Sequence, residues 1–250
     1  MHYAGIDIGS RTIGVVVVDG EGRPVAERLA DTGYDPLAEA RAALDGLAFD
    51  RIMATGYGRS LFEVAFAAPT VTEIKAHARA AGALFDGAAG VLDIGGQDSK
   101  AIALDGSGRV TKFEMNDRCA AGTGKFLEVM ARALGFSLSA FAEEALAASG
   151  EASVSSMCTV FAESEVTSLL ARGGDRREIA RGLHRSVVRR AVAMLNRVVP
   201  RGPLVFSGGV AHNVCVRTLL AEELQRPILL PERPQLAGAY GAALLARDLA

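Results

Sequence analysis

A seventeen-residue stretch occurs twice in this chain, and the repeat restricts the possible fold more than any other feature. The first copy is DIGSRTIGVVVVDGEGR, Asp7 to Arg23, and the second is DIGGQDSKAIALDGSGR, Asp93 to Arg109. They align without a gap and are identical at seven of the seventeen positions. Each copy predicts a strand, a tight polar turn, a second strand and a DG-x-G turn into a third strand. The chain is therefore predicted to contain the same β-meander twice.

The repeat predicts an α/β protein with two related lobes. Apolar spacing predicts helices near Leu37 to Leu47 and Lys125 to Leu134, one after each meander. The chain has 250 residues, half of them apolar, which is enough for a substantial core. We expect residues 1–87 with 236–250 to form lobe I, and residues 88–235 to form lobe II.

Two further glycine-rich segments join a strand or loop to a helix, VFSGGVAHN (205–213) and LAGAYGAALLA (236–246). Four such loops in one chain indicate a nucleotide cleft between the lobes. The segment CAAGTGKF (119–126) ends like a P-loop, but Cys119 stands where a Walker A loop needs glycine and Phe126 where it needs Ser or Thr. Lys125 is therefore expected on a helix surface.

Charge and cysteine usage argue against several functions. The formal charge is −2 with no basic stripe, which argues against nucleic acid or an anionic membrane as a main partner. No apolar run reaches membrane-spanning length, and the chain begins directly in a strand-like segment. Three cysteines without paired spacing fit a reducing compartment. We expect a cytoplasmic protein.

Two of the cysteines precede stretches with helical apolar spacing, Cys119 in MNDRCAAGTGKFLE and Cys158 in SSMCTVFAESE. The N-terminus of a helix favours the thiolate, which is the form that binds metal. A four-iron cluster needs four thiolates, and two chains in a two-fold dimer would supply them. The alternative is that both are packed thiols, as we expect for Cys215. His184 is expected to be a surface or core-filling residue rather than a ligand.

The order of the four glycine segments resembles the acetate kinase, sugar kinase, Hsp70 and actin superfamily of ATPases. The resemblance implies two ribonuclease-H-like lobes that clasp ATP. The residues that it implies for the phosphates and the adenosine are Gly9, Ser10, Arg11, Thr12, Ile13, Gly95, Gly96, Gln97, Gly208, Gly209, Asn213, Gln235 and Gly238. Asp7 and Asp93 would hold Mg²⁺ through its waters, the alternative being that they cap their turns.

Within that superfamily the whole chain resembles the activators, or component A, of 2-hydroxyacyl-CoA dehydratases, a family that includes the ATPase subunits of benzoyl-CoA reductase. The resemblance is carried by TGYGR (55–59), TEIKAHARAAGA (72–83), DIGGQDSK, MNDRCAAGTGKFLEVMA, SSMCTVFAESEVTSLLARG and SGGVAHN. It implies one [4Fe-4S] cluster per homodimer, held by Cys119 and Cys158 of each subunit. It also implies a ferredoxin or flavodoxin donor and ATP-driven transfer of one electron to a dehydratase or reductase.

The sequence alone leaves the roles of several residues undecided. Glu73 and Gln97 are equal candidates for orienting the hydrolytic water, although Glu73 fits an exposed helix carboxylate nearly as well. Gly14 stands where close activators usually carry Lys, and Ala237 stands where Asn is frequent; Arg11 is a hypothetical replacement for the lost charge. A small-molecule kinase of the same fold and a structural, filament-like or chaperone-like ATPase are the competing functions. The choice between dehydratase, benzoyl-CoA reductase and another double-cluster protein stays open.

Overall fold

The computed structural model describes residues 1–155, 158–199 and 201–249. The strands are β1 (Tyr3–Ile8), β2 (Thr12–Val18), β3 (Pro24–Asp31), β4 (Arg51–Thr55), β5 (Gly90–Ile94), β6 (Ser99–Leu104), β7 (Val110–Asn116), β8 (Leu204–Ser207) and β9 (Ile228–Leu229). The α-helices are α1 (Pro36–Leu44), α2 (Arg59–Phe66), α3 (Glu73–Leu84), α4 (Gly124–Ala133), α5 (Leu138–Leu146), α6 (Thr159–Ala171), α7 (Arg176–Val198), α8 (Val214–Leu224) and α9 (Ala237–Asp248).

The strands form two sheets with the same topology. The first has the order β3-β2-β1-β4, and the second has the order β7-β6-β5-β8-β9. In each sheet the meander is antiparallel, and a fourth strand adds parallel to the first strand of the meander. Thr70 forms a parallel bridge to Ala54 of β4, where β9 pairs with β8 in the second sheet. The predicted duplication and both meanders are confirmed.

The core strands have the composition that burial on both faces requires. β2 reads TIGVVVV, and its residues from Ile13 to Val18 are all buried. The outer strand β3 alternates between exposed and half-buried positions after its first two residues, as expected for one that faces solvent on one side. The inner strands, β1 and β2 in the first sheet and β5, β6 and β8 in the second, therefore form a largely buried base beneath the polar turns.

Helices α3 and α9 connect the two sheets. α9 packs on the first sheet, where Ala239 and Ala243 lie against β1 at Gly5, while α3 packs on the second sheet through Ile74 and Ala81. The two helices cross at Ala76 and Gly241 so closely that a Cβ at Gly241 would collide with the backbone of Ala76. Helix α3 thus follows the β4 edge of the first sheet and packs on the second, whereas α9 follows the β9 edge of the second sheet and packs on the first.

No helix among the described residues combines the length and the apolar character needed to cross a membrane. The predicted helical segments correspond to α1 and α4. Ser156 and Met157 of the second cysteine motif lie outside the described residues, whereas Cys158 lies within them.

Candidate functional site

A cleft of about 1020 Å³ lies between the two sheets at the ends of β1 and β5. Most of the residues that the sequence predicts for the nucleotide line it. They are Asp7, Gly9, Ser10, Arg11, Thr12, Glu73, Asp93, Gly95, Gly96, Gln97, Gly208, Gly209, Asn213 and Gln235. Segments that are more than 200 residues apart in sequence therefore meet at one site. Three of the four glycine segments contribute lining residues, and the fourth, 236–246, contributes none.

Two predicted residues lie behind the wall of the cleft. The Ile13 side chain is fully buried in the core of the first lobe. Gly238, in the first turn of α9, lies against the Asp7 carboxylate, and a Cβ there would collide with Asp7 Oδ2. Gly238 therefore supports Asp7 from behind.

The two predicted phosphate turns have the same backbone geometry. Gly9 N donates to Thr12 O at 3.0 Å, and Gly95 N donates to Asp98 O at 3.0 Å. The turns also touch each other, because a Cβ at Gly96 would overlap the aliphatic part of Arg11. Glycine at position 96 therefore allows the two turns to approach the same point from opposite lobes.

Lys100 is the centre of an ion-pair network that the sequence analysis did not single out. Its side chain is 2% exposed, and its Nζ lies 2.5 Å from Glu73 Oε2, 2.7 Å from Asp98 Oδ2 and 3.3 Å from Asp93 Oδ2. Burial alone would lower the pKa of Lys100, but the three carboxylates raise it well above its ordinary value. The network fixes Glu73, which is therefore not a free carboxylate on the helix surface.

Asp93 is held at the end of β5 by groups from three elements. Its Oδ1 accepts a hydrogen bond from Ser207 Oγ at 3.0 Å and lies 3.7 Å from His77 Nε2, while its Oδ2 faces Lys100. Burial opposes ionisation, but His77, Lys100 and the Ser207 hydroxyl lower the pKa of Asp93 below its ordinary value. Asp93 is thus an ionised carboxylate held by partners from β6, β8 and α3.

Asp7 occupies the equivalent position in the first repeat without such partners. The parallel neighbour of Asp93 is Ser207, and the parallel neighbour of Asp7 is Thr55. Thr55 Oγ1 is buried and makes no hydrogen bond, and no residue in the described ranges donates one to the Asp7 carboxylate. Burial, followed by the charge of Glu73, raises the pKa of Asp7 to about 8. Asp7 and Asp93 are therefore equivalent in the repeat but differ in their surroundings and in the direction of their pKa shifts.

The loop after β8 forms the end of the cleft that is predicted to bind the adenosine. Gly208 has φ 85, and its N–H donates to Pro234 O at 3.0 Å, which holds Gln235 beside Gly209. Asn213 caps α8 through Oδ1, and its Nδ2 lies 3.0 Å from His184 Nε2. Asn213 is therefore fixed by two bonds at the rim of the cleft.

Helix α5 supplies a wall of the cleft that the sequence analysis missed. The lining residues of α5 are Leu138, Ser139, Ala142 and Glu143, and Val210 and Val214 also line the cleft. Apolar walls with a few polar groups suit an aromatic base and its sugar. No glycine motif marks α5, so only its amphipathic spacing beside the cleft could have indicated it.

Gly14 lies on β2 opposite Asp7, and Lys100 lies opposite Asp93 at the equivalent position of the second repeat. A Cβ at Gly14 would press on Leu236 Cδ2 at 2.9 Å. Arg11 instead extends across the cleft, with Nη2 3.4 Å from Glu128 Oε2 on α4. Ala237 is buried at the start of α9. Among the described lysines and arginines that line the cleft, Lys100 in the second lobe is therefore the buried one.

The three cysteines are free and have different environments. Cys119 is half-buried, Cys158 is exposed and Cys215 is fully buried. Burial raises the pKa of Cys215 to about 12, as expected for the packed thiol that the sequence predicts. No group of three or more His, Cys, Asp or Glu side chains able to hold a metal occurs in the described part of a single chain.

The duplicated lobes, the paired glycine turns and the acidic floor of the cleft define a class of protein. The same fold occurs in a ROK family glucokinase from Streptomyces griseus, with a TM-score of 0.60 over 99% of this chain and all of that one. The identity is 18%, so this likeness concerns the fold alone. The chain therefore has the two-lobed actin-like fold.

More narrowly, the chain belongs to the BadF/BadG/BcrA/BcrD ATPase family, whose model matches residues 4–246. Its structure is similar to component A of (R)-2-hydroxyglutaryl-CoA dehydratase from Acidaminococcus fermentans, with a TM-score of 0.92, 38% identity and coverage of 100% and 98% of the two chains. It is 41% identical to the activator of lactoyl-CoA dehydratase from Anaerotignum propionicum over 100% of this chain and 99% of the relative. It is 34% identical to a benzoyl-CoA reductase subunit from Thauera aromatica, over 96% and 91%.

Proposed function

We propose that this ATPase activates a 2-hydroxyacyl-CoA dehydratase by ATP-dependent transfer of one electron, as a homodimer. The main support is the contact between helix α4 and the second phosphate turn. The first N–H groups of α4 donate to the second phosphate turn, Gly124 N to Gly95 O at 2.9 Å and Lys125 N to Gly96 O at 2.8 Å. Because α4 begins five residues after Cys119, a displacement of this turn by a nucleotide would be transmitted to the cysteine loop.

The cysteines suit a [4Fe-4S] cluster shared between two chains. Cys119 is a half-buried free thiol and Cys158 an exposed one, and Cys158 begins α6 without a capping bond from its side chain. A single chain supplies two of the four thiolates, so a complete site needs a second copy. When bound, such a cluster supplies a one-electron carrier of low potential. The chain's own residues would hold it at the start of α6 and just before α4.

Different residues of the cleft would bind different parts of the nucleotide. We assign the phosphates to the two turns, and a water-coordinated Mg²⁺ to Asp7, with Asp93 beside it in its ion-pair network. The adenosine belongs to Gly208, Gly209, Asn213 and Gln235. For the hydrolytic water, Glu73 and Gln97 remain the candidates. The ion pair with Lys100 fixes the direction of the Glu73 carboxylate.

The units that move are proposed to be residues 1–87 with 236–250 and residues 88–235. Closure of these lobes on ATP would bring both phosphate turns to the same anion and pull on α4 through Gly95 and Gly96. The electron donor is proposed to be a ferredoxin or flavodoxin, and the location cytoplasmic, with neither nucleic acid nor membrane as a partner.

An ATPase subunit of a benzoyl-CoA reductase is the second candidate function. Identity to the Thauera aromatica reductase protein is 34%, against 41% to the lactoyl-CoA dehydratase activator, and coverage of the relative falls from 99% to 91%. Both differences favour a dehydratase as the partner. A small-molecule kinase is less well supported, because the similarity to the glucokinase is limited to the fold.

The deciding experiment is anaerobic purification with iron and sulfide counted against protein. We expect about one four-iron cluster per two chains in the parent and none in Cys119→Ala or Cys158→Ala. Cys215→Ala is the matched control, because this buried thiol has no part in the site and its variant should keep the cluster. Addition of ATP in place of ADP should change the EPR spectrum of the reduced parent and allow reduction of a purified dehydratase.

Two outcomes would contradict the proposal. One is an oxygen-free parent preparation without iron. The other is a full iron content in Cys119→Ala and Cys158→Ala, which would place the iron elsewhere. A spectrum indifferent to the nucleotide would remove the coupling between cleft and cysteines but leave the cluster assignment intact.

A further inference from the structure

The side chain of Asn116 holds together the loop that carries Cys119. Asn116 is the last residue of β7, and its Nδ2 donates to Cys119 O at 2.9 Å and to Ala121 O at 3.0 Å. One amide group thus binds two carbonyls of the following loop. The two donors of an asparagine amide are sufficient for this pair, and an aspartate at the same position would have none.

A second polar side chain closes the other end of the loop. Thr123 Oγ1 donates to Ala120 O at 2.6 Å, and Thr123 N donates to the same carbonyl at 3.1 Å. Gly122, between the two, has φ 84 and lies against Arg190. Residues 117–123 form no helix or strand, so these side-chain bonds determine the path of the backbone at Cys119.

Asn116 also connects this loop to the second phosphate turn. Its register partner in β6 is Ser99, which directly follows Asp98 of the turn and precedes Lys100. The loop is therefore anchored at Asn116 by β7 and at Gly124 by the hydrogen bond to Gly95. Both anchors belong to the structure around the phosphate turn, and Cys119 lies between them.

We propose that Asn116 is a positioning residue that directs the Cys119 thiol through its two bonds to the loop carbonyls. This inference rests on the proposed role of Cys119, but the position of the thiol can be tested without any iron. With the amide in place, Cys119 has a defined orientation and restricted access. Without it, the loop loses one anchor and the thiol becomes more mobile, while Cys158, on another element, is unaffected.

The test compares parent, Asn116→Asp and Asn116→Ala as iron-free full-length protein, with a thiol-alkylating reagent and peptide mass spectrometry. We expect Cys119 to react about fivefold faster or more in both variants, since each lost hydrogen bond to the loop shifts the closed and open populations by about that factor. The rate at Cys158 should not change and serves as the internal reference. Asn196→Asp is the matched control, because Asn196 is an exposed residue of α7.

Folding and iron content separate the possible outcomes. Thr123→Val removes the hydroxyl bond to Ala120 O at the other end of the loop and should also raise the alkylation rate of Cys119. This variant replaces the asparagine variants in the test if either of them folds poorly. In anaerobic preparations Asn116→Asp should retain less iron and shift the midpoint potential of what remains. Equal alkylation rates at Cys119 in the parent and in folded Asn116→Asp would overturn the inference. An iron-free parent would contradict the proposed function instead, and leave the alkylation result standing.

Discussion

Arg11 Nη2 lies 3.4 Å from Glu128 Oε2, so a side chain of the first phosphate turn extends across the cleft to helix α4 of the other lobe. Glu128 is also within 4 Å of Lys125 and Arg132 on its own helix. Arg11 therefore shares its partner with two other cations and is half exposed. In this arrangement the free energy of the pair is small, and the guanidinium can be redirected to a phosphate.

Replacing Glu128 by Gln should tighten ATP and ADP binding by a few fold, because Arg11 then has no competing carboxylate in the cleft. Arg11→Ala should weaken binding by about tenfold, which corresponds to one exposed charge-assisted bond. The double variant should behave like Arg11→Ala, since Glu128 acts through Arg11. Calorimetric titration with ADP measures all three. Independent, additive effects of the two substitutions would contradict this competition.

Lys100→Met should destabilise the protein strongly. The substitution leaves Asp93, Asp98 and Glu73 close together without their shared cation, and breaking a buried pair on one side costs about 3–5 kcal/mol. Lys75→Met, on the exposed face of α3, is the matched control and should stay within about 0.5 kcal/mol of the parent. Urea midpoints at pH 7.5 compare the two. Equal midpoints would mean that water or a rearranged side chain replaces the cation.

Thr55 and Ser207 provide a second matched pair, because they are equivalent in the two lobes. Thr55 Oγ1 is buried without a partner, so Thr55→Val should leave the free energy of unfolding unchanged or raise it by up to about 1 kcal/mol. Ser207→Ala removes the hydroxyl bonded to Asp93 and should cost about 1–3 kcal/mol. Denaturation of the nucleotide-free protein tests both.

If Thr55 serves the cation site, Thr55→Val should also weaken the Mg²⁺ dependence of ADP binding, whereas its free energy of unfolding is not lowered. A variant that is both destabilised and normal in Mg²⁺ dependence would show that Thr55 has a partner within the fold.

The repeat predicted the fold well because a gapless alignment of two meanders constrains strand order and turn geometry together. The glycine turns were also readable, since phosphate binding and close approach both demand glycine at Gly9, Gly95 and Gly96. Lys100 was missed although it aligns with Gly14, because one lysine in a strand gives no indication of which carboxylates surround it. The α5 wall was missed for the same reason: its contact with the cleft depends on packing between segments distant in sequence.

The hydrogen bonds of Asn116 could not be predicted from the sequence either. Its position at the end of β7 was predictable, and asparagine is common where a strand ends in a turn. That both amide protons reach carbonyls on either side of Ala120 depends on the path of the loop, which depends in turn on Thr123 and Gly122. A sequence motif records the cysteine but not the groups that direct it.

His184 lies in the second lobe behind the cleft. Its ring is fully buried on Phe141, with Nδ1 2.8 Å from Ala180 O and Nε2 3.0 Å from Asn213 Nδ2. The carbonyl fixes the hydrogen on Nδ1, so Nε2 accepts from the asparagine. Burial lowers the pKa of His184 to about 4 from an ordinary value of 6.5. In the unfolded chain the ring takes up its proton near the ordinary value.

The unfolded state therefore binds more protons than the folded state between pH 6.5 and 4, and the stability that His184 contributes is lost as the pH falls through this window. The full difference in pKa corresponds to about 3 kcal/mol. His184→Gln should remove that part of the pH dependence, whereas His2→Gln, at an exposed position, should keep the slope of the parent. Urea unfolding at pH 7, 6 and 5 measures the slopes. A steep acid loss that persists in His184→Gln would assign it to other groups, because a protonated Nε2 facing the Asn213 amide could then not be its cause.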